Sequence, residues 1–523
     1  MRGSGILMPV SSLPSPHGIG SLGREAYAFV DFLRAAGQRY WQILPIGPTG
    51  YGDSPYQSFS AFAANPYLID LDLLAQEGLL TGEEIAAEEF GDDPERVDYG
   101  KLFQRRFALL EKAVRRLDPQ QAELLAFCEE NAAWLEDYAL FMALKAERGM
   151  VSFHRWPRAL RLREETALAA ARRRLGEKLF FWRAVQYLFY RQWDALKAYA
   201  GRSGVAIVGD LPIYVSPDSS DLWADSALFQ VDDQRRPTEV AGVPPDAFSA
   251  DGQLWGNPLY NWRRHKADGY AWWLRRLRHA ARVYDVVRID HFRGFESYYA
   301  IPAAAKTAAR GRWRKGPGMD LIGAIQRELP GLGVIAEDLG YLTPAVRRLL
   351  AESGYPGMKV LQFAFDSREE SDYLPHNYPR NTVVYTGTHD NTTTEDWQRS
   401  AGGCGFRAPL SGHHPHDQFH LQLYPRRAGQ CGRHLHHTAA GLSLPGGRGA
   451  HQHPQHPGGQ LGVAGAPGGA HPSAGRRHPG ADPHVRAAAG GRGQKSERQV
   501  SGPPESFGSV PLPGERSGLW GRP

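Results

Sequence analysis

Short apolar runs alternate with longer amphipathic stretches through the first ~390 residues, and this alternation constrains the fold most. Strands separated by helices predict right-handed crossovers and a parallel sheet. Seven β-α units fit a (β/α)8 TIM-type barrel, an α/β fold, one unit short of eight. A doubly wound sheet is the alternative that the pattern alone leaves open. The seven runs are Ile6–Met8, Trp41–Leu44, Val205–Val208, Val286–Ile289, Val334–Ala336, Met358–Phe363 and Thr382–Tyr385.

The predicted barrel forms a catalytic domain over about 1–400. Helical and loop insertions follow its second and third strands, at about 48–200 and 212–280, and the eighth β/α unit is absent as written. Three cysteines cannot form a disulfide framework, so we expect a reducing, cytoplasmic location. No apolar run reaches the ~18 residues of a membrane span, so we expect no membrane partner.

The last quarter of the chain differs in composition from the rest. Residues 402–523 hold 13 Lys and Arg against 5 Asp and Glu, and they contain no Ile, Met or Asn. They also contain 26 Gly, 15 Pro and 13 of the 20 His. The net charge of +5 therefore belongs to this tail, and it does not indicate a nucleic-acid partner. From this composition, 401–523 is predicted to be a disordered tail.

Polar side chains follow several predicted strands. Side chains alternate along a strand, so Arg288 and Asp290 face the same side, where the guanidinium can orient an ionised carboxylate. A structural ion pair is the alternative for these two residues alone. If the barrel is right, acids at strand ends converge on one pocket, and fixed carboxylates suit the positive transition state of glycosidic chemistry. The polar residues at strand ends are Asp210, Arg288, Asp290, Glu337, His389 and Asp390.

Aromatic side chains in Gly/Pro/Ser/Asp-rich loops fit a sugar ligand, because sugar rings stack on aromatic rings. Packing within the loops is the alternative for each of them. They are Tyr51, Tyr56, Phe59, Trp255, Tyr260 and Trp262.

Two other motifs are set aside. Gly18–Gly23 has the form G-x-G-x-x-G, but a dinucleotide site needs an acid about 20 residues later, where Ile43 stands. The His runs at 434–437 and 451–456 lack surrounding elements that would hold a metal. We therefore expect no cofactor and no metal.

These residues stand in motifs that resemble the 4-α-glucanotransferases called amylomaltase or disproportionating enzyme, of the α-amylase clan. The resemblance covers about 1–397, and the block from Tyr40 to Phe62 is its most specific part. Shorter matching pieces are Ser12–Gly20, Gly209–Val215, Leu254–Tyr260, Val287–Gly294, Glu337–Gly340 and Thr388–Asn391.

The resemblance implies transfer of α-1,4-glucan segments between maltooligosaccharides, with retention, through a glycosyl-aspartate intermediate. It implies that Asp290 is the nucleophile, Glu337 the acid/base and Asp390 the transition-state stabiliser. It further implies that the substrate-binding residues are Arg288, His389, Asp210, Tyr56, Trp255, Ser54 and Asp366. An α-1,4-glucan hydrolase of the same clan is the first alternative. The second is an inactive or misfolded glucan-binding chain, because the C-terminus is aberrant.

The tail departs from the family, whose body continues through an eighth strand. Read one nucleotide out of register with allowed codons, His451–Ala464 can encode a Gly-Asn-Trp-Glu-Trp-Arg run similar to the family's C-terminal end. The sequence therefore predicts that about 400–523 is translated out of frame.

Overall fold

A computed structural model describes residues 3–50, 52–245, 249–340, 342–365, 371–394, 396–397 and 434–438. All of them lie in one compact unit, Met1–Pro467. The strands are β1 Gly3–Leu7, β2 Tyr40–Gln42, β3 Ala206–Leu211, β4 Glu239–Val243, β5 Gln253–Pro258, β6 Val286–Ile289, β7 Ser297–Pro302, β8 Arg312–Lys315, β9 Gly333–Ala336, β10 Gly357–Val360, β11 Thr382–Tyr385 and β12 His434–Thr438.

Eight of these strands form one parallel sheet in the order β10-β11-β12-β1-β2-β3-β6-β9. Every neighbouring pair in this order is parallel, and its inner strands carry buried apolar side chains such as Ile207, Val287 and Val383. The fold is the (β/α)8 TIM-type barrel that the sequence predicts. The seven predicted strands correspond to β1, β2, β3, β6, β9, β10 and β11.

The barrel closes between β9 and β10, the two ends of the hydrogen-bonded order. The Ala336 N–H donates to the carbonyl of Pro356 at 2.9 Å, and Asp338 Oδ1 accepts from the Met358 N–H at 2.6 Å. A side chain at Gly357 would lie within 2.9 Å of the Asp338 carboxylate, so the position requires glycine. A buried carboxylate thus joins the two strands at this seam.

The structure corrects the prediction that the eighth β/α unit is absent. Strand β12 lies between β11 and β1, and its backbone pairs with both of them over His434–Thr438. Ladder hydrogen bonds are made by backbone groups, so a segment without apolar periodicity can still fill a gap between two strand edges. The rest of the unit lies outside the described residues, as do the domain boundary at 400 and the tail apart from His434–Thr438. The boundary and the out-of-frame origin of the tail stay predictions.

Helices surround the barrel and fill the long connection between β2 and β3. Helix α14 shows how sequence sets one of them: the Thr343 hydroxyl caps it, Pro344 begins it, and Gly354 ends it with φ +66°. The α-helices are α1 Arg24–Ala35, α2 Leu71–Gln76, α3 Gly82–Ala86, α4 Tyr99–Arg116, α5 Ala122–Glu130, α6 Ala132–Glu147, α7 Arg158–Arg161, α8 Glu165–Arg174, α9 Gly176–Arg202, α10 Ser220–Ala224, α11 Trp262–Ala267, α12 Ala271–Val283, α13 Met319–Glu328 and α14 Pro344–Ser353.

Helix α9 fixes the segment that follows β2. The buried side chain of Gln186 bonds both backbone groups of Ala64, at 2.7 and 2.9 Å. Gln192 does the same for Asp70, at 2.7 and 3.1 Å. Each glutamine satisfies a donor and an acceptor that would otherwise be buried without partners, so the segment is held against the helix.

A second sheet is antiparallel, with the order β5-β4-β7-β8. Its inner face, with Ala241, Tyr298 and Ala300, packs into the main core, and Val240 and Ile301 belong to a small cluster on the other face. Strand β5 carries Trp255, and β7 follows β6 within a few residues. This sheet therefore borders the carboxyl ends of the barrel strands.

Candidate active site

The centre of the site is a buried guanidinium at the end of β6. Arg288 Nη1 lies 2.6 and 2.7 Å from the two carboxylate oxygens of Asp210 and 3.0 Å from Asp290 Oδ1. Asp210 and Arg288 are paired residues on neighbouring strands, which brings their side chains together. Burial disfavours the guanidinium charge, yet Asp210 and Asp290 hold the pKa of Arg288 well above its usual value.

Tyr56 joins this centre to the far side of the barrel. Its hydroxyl donates to Asp210 Oδ2 at 2.8 Å and lies 2.7 Å from His389 Nε2, and the two rings stack at 5.6 Å. Burial and the charge of Asp210 raise the pKa of Tyr56 well above its usual value, so its hydroxyl remains a donor. The loop after β2 and the end of β11 therefore meet at one hydrogen-bond network.

Glu337 follows β9, and its carboxylate is held by backbone groups. Oε2 accepts from the His291 N–H and Oε1 from the Leu339 N–H, both at 2.7 Å. A backbone hydrogen bond also joins these two segments: the Phe292 N–H donates to the Glu337 carbonyl at 3.0 Å. One oxygen of the side chain is thus oriented from the turn that follows Asp290, and the other from the segment that follows β9.

His291 forms that turn, with φ +50°, a left-handed conformation uncommon for a non-glycine residue. Its ring meets the Trp255 ring edge-to-face at 4.8 Å. Burial, together with the charge of Arg293, lowers the pKa of His291 to about 3, so the imidazole is neutral. The sequence motifs predicted no role for His291. Its place directly after a strand-end acid was the available signal.

Asp290 and Glu337 are two buried carboxyls whose pKa values are both raised. Burial raises the pKa of Asp290 to about 7, against the opposing effect of Arg288, and the charges of Asp210, Glu337 and Asp390 raise it further. Burial also raises the pKa of Glu337, while Arg288 and two backbone N–H groups oppose the rise. The direct contact with Arg288 favours the ionised form of Asp290 against this rise, whereas the Glu337 carboxylate is held by two backbone N–H groups.

Asp390 lies at the exposed side of the cluster, with 56% of its side chain exposed. Its Oδ1 is 3.3 Å from His389 Nε2, and its N–H donates to the Thr388 hydroxyl at 3.3 Å. Asn391 Oδ1 in turn accepts from the Thr388 N–H at 2.8 Å. The turn after β11 thus fixes the backbone of Asp390 and leaves its carboxylate, beside His389, open to a ligand.

The remaining predicted residues fall in different places. Trp255 lines the site, where its ring contacts His291. The Ser54 hydroxyl accepts a hydrogen bond from the Tyr56 N–H at 3.3 Å and so stabilises the turn that carries Tyr56. Asp366 and Tyr51 lie outside the described residues. Three other loop aromatics that fitted a sugar ligand are buried or packed among other rings: Phe59, Tyr260 and Trp262.

Met358 contacts the centre of the site, although the sequence did not predict it there. Its sulfur, on β10, lies 3.4 Å from Arg288 Nε. No signal marks this residue, because methionine in a buried strand is ordinary core. Among the described residues, no group of three His, Cys, Asp or Glu side chains is placed to hold a metal. No helix of the described part could cross a membrane.

Known proteins are similar to this chain in sequence and in fold. A family described as 4-alpha-glucanotransferase matches residues 8–442. The 4-alpha-glucanotransferase of Thermus thermophilus is 53% identical over 407 residues, and that of Streptococcus pneumoniae serotype 4 is 52% identical over 404 residues. Each match covers 76% of this chain and 80% of the relative.

Two solved structures are similar to the whole barrel. Amylomaltase from Streptococcus agalactiae, in complex with acarbose, has a TM-score of 0.80 at 42% identity, covering 84% of this chain and 90% of that one. Amylomaltase from Corynebacterium glutamicum has a TM-score of 0.67 at 19% identity, covering 85% of this chain and 70% of that one, and shows the shared fold alone.

Proposed function

This chain belongs to the 4-alpha-glucanotransferase family and transfers segments between α-1,4-glucans, and we propose that Asp290, Glu337 and Asp390 carry out that transfer. One observation supports this assignment above the others. Arg288 contacts Asp290 directly, while Glu337 is held by two backbone N–H groups, so two neighbouring carboxyls occupy different environments. Such a difference suits one nucleophile and one acid/base.

In the first half of the reaction, Asp290 attacks the anomeric carbon of the donor glucan. Glu337 donates its proton to the oxygen of the broken glycosidic bond, and the shortened glucan leaves with a free 4-OH. A glucan segment remains bound to Asp290 through an ester. Asp390, exposed at the rim of the pocket, stabilises the positive charge that develops on the sugar ring.

In the second half, the 4-OH of an acceptor attacks the same carbon. Glu337, now ionised, takes the proton of that hydroxyl, and the ester to Asp290 breaks. Two inversions give net retention, and Glu337 recovers the proton that it lost. Transfer exceeds hydrolysis as long as an acceptor glucan reaches the ester before water does.

The other polar residues orient the reacting groups. Arg288 fixes Asp210 and Asp290, and Tyr56 links Asp210 to His389. Trp255 offers a ring for stacking a sugar, and Ser54 holds the turn that carries Tyr56. We propose maltooligosaccharides as both donors and acceptors. The proposal includes a reducing compartment, the cytoplasm, supported by Cys128, whose thiol is free in the described part of the chain.

Maltotriose tests the proposed chemistry. The wild-type chain should convert it into glucose and a ladder of longer dextrins, whereas a hydrolase would give shortened products only. Asp290→Asn keeps the shape of the side chain and removes the nucleophile, so transfer should fall by at least ~10³-fold while maltodextrin binding survives. A variant that keeps more than a few per cent of wild-type transfer would refute Asp290 as the nucleophile.

A further inference from the structure

Trp313 is a large aromatic side chain held in place at the surface of the small sheet. Its residue is 43% exposed on β8. The Arg293 guanidinium lies over the indole at 4.1 Å, and the Tyr299 ring meets it at 5.2 Å with an interplanar angle of 61°. Tyr299 and Trp313 are paired residues on β7 and β8, so the indole is fixed by the sheet register as well. These contacts make Trp313 a rigid aromatic surface.

The surroundings of the indole favour a neutral ligand. The other three residues of β8 are cationic, and each has an anionic partner: Arg312 and Arg314 pair with Glu239, and Lys315 pairs with Glu296. Two carboxylates therefore offset two of the three cationic side chains, and the strand keeps only a small excess of positive charge. An exposed ring among cations that are each held in an ion pair suits a sugar, whose C–H face stacks on an aromatic ring.

The position of the indole relates it to the proposed acid/base. Arg293 follows directly after His291 and Phe292, whose N–H groups bond the side chain and carbonyl of Glu337. The ring that stacks on Arg293 is therefore attached to the segment that orients Glu337. An acid/base carboxyl stands beside the leaving or accepting oxygen, so this edge of the site borders the acceptor glucan.

We propose that Trp313 is a stacking platform for the acceptor side of a long α-1,4-glucan, a role that rests on the proposed function. A short glucan ends before it reaches the platform, and a longer one lays a sugar ring on the indole. The platform therefore adds affinity only for glucans long enough to reach it. It does not contact Asp290, Glu337 or Asp390.

Equilibrium binding of maltose and maltoheptaose to the full chain tests this role. Each titration uses Asp290→Asn as the parent, so that the sugars are not turned over, and isothermal calorimetry gives the Kd. Trp313→Ala should weaken maltoheptaose binding about tenfold, in the range of a lost aromatic contact, and leave maltose within about twofold. Trp313→Phe should recover most of the lost affinity, because a smaller ring still stacks.

Phe32→Ala is the matched control. Phe32 is also an exposed aromatic, 52% exposed on α1, and stacks on Phe29 at 5.9 Å. It should leave both affinities unchanged. Unchanged maltoheptaose binding in Trp313→Ala would overturn the platform, as would equal losses for the two sugars. A change from dimer to monomer on gel filtration, with sugar binding intact, would assign the ring to a second copy of the chain and also overturn it.

Turnover in the parent separates this inference from the proposed function. A dextrin ladder formed by Asp290→Asn would count against Asp290 as the nucleophile. The same Trp313 variants could then be compared by acceptor KM in the wild-type chain, where the length dependence should persist.

Discussion

At the scale of single residues, the electrostatic interaction between Asp290 and Glu337 links the geometry to pH dependence. Glu337 carries a charge that raises the pKa of Asp290, so removing that charge makes ionisation of Asp290 easier and lowers its pKa. Activity that requires ionised Asp290 is lost as pH falls through this pKa. The pH at which the rate falls on the acidic side therefore depends on Glu337 as well as on Asp290.

Glu337→Gln should shift that limb to lower pH. A glycosyl fluoride donor needs no proton for its leaving group, so it should restore the glycosylation step in this variant. The midpoint of the acidic limb of kcat/KM should lie near 7 in the wild type and clearly lower in Glu337→Gln. Glu328→Gln, which alters an exposed pair with Arg278, is the control and should not move it. An unchanged or raised midpoint in Glu337→Gln would contradict the coupling.

Tyr56→Phe should slow transfer and leave the fold intact. The variant removes one hydroxyl that bonds Asp210 and contacts His389, and the loss of a hydrogen bond to a charged group predicts a fall of about 10- to 100-fold in kcat/KM. Tyr199→Phe deletes a comparable bond to Asp31 on the outer helices and should keep wild-type rates. Equal rates in the two variants would show that the Tyr56 link is dispensable.

Sequence alone located the ion pair of this site. The two-residue spacing of Arg288 and Asp290 predicted a shared face, and the structure places them 3.0 Å apart. The expectation that Arg288 keeps Asp290 readily ionised needs correction, because burial outweighs the guanidinium and raises the pKa to about 7. Burial depends on the whole barrel, so it could not be read from a local motif. The turn at His291 was missed for the same reason.

At the scale of elements, the seam between β9 and β10 depends on one glycine. Gly357→Ala should lower the free energy of unfolding by about 1–3 kcal/mol, because the added methyl group meets the buried Asp338 carboxylate. Gly331→Ala, just before β9, meets no atom within 4 Å and is the control. Thermal and denaturant unfolding of both variants give the comparison. A wild-type melting temperature in Gly357→Ala would mean that the seam adapts to a side chain.

The barrel strands were predictable and the small sheet was not. Strands β6 and β11 have the predicted bounds, because buried parallel strands are nearly continuous apolar runs. Strand β8 reads Arg-Trp-Arg-Lys, and β5 contains Gly256 and Pro258, so neither has that signal. The backbone pairing of β12 escaped prediction because it depends on the two edges that receive it.

At the scale of the whole molecule, the predicted change of reading frame is tested by comparing the chain as written with a chain restored to frame. Strand β12 pairs with Val383–Tyr385, a few residues before the turn that carries Asp390. Since a ~1 Å displacement of a catalytic group can cost ~100-fold in rate, a chain whose last 120 or so residues are restored to frame should transfer about 100-fold faster than the chain as written. Product formation from maltotriose measures both. Equal rates would show that the written C-terminus supports the site fully.

The contact between Tyr56 and His389 joins residues 333 positions apart. A ribosome adding about 5–20 residues per second needs roughly 17–70 seconds to make the chain between them. During that interval the nascent polypeptide holds one wall of the pocket without the other, and Asp390 has not yet been made. A fragment released before this point lacks Asp390, so it should not transfer glucan segments.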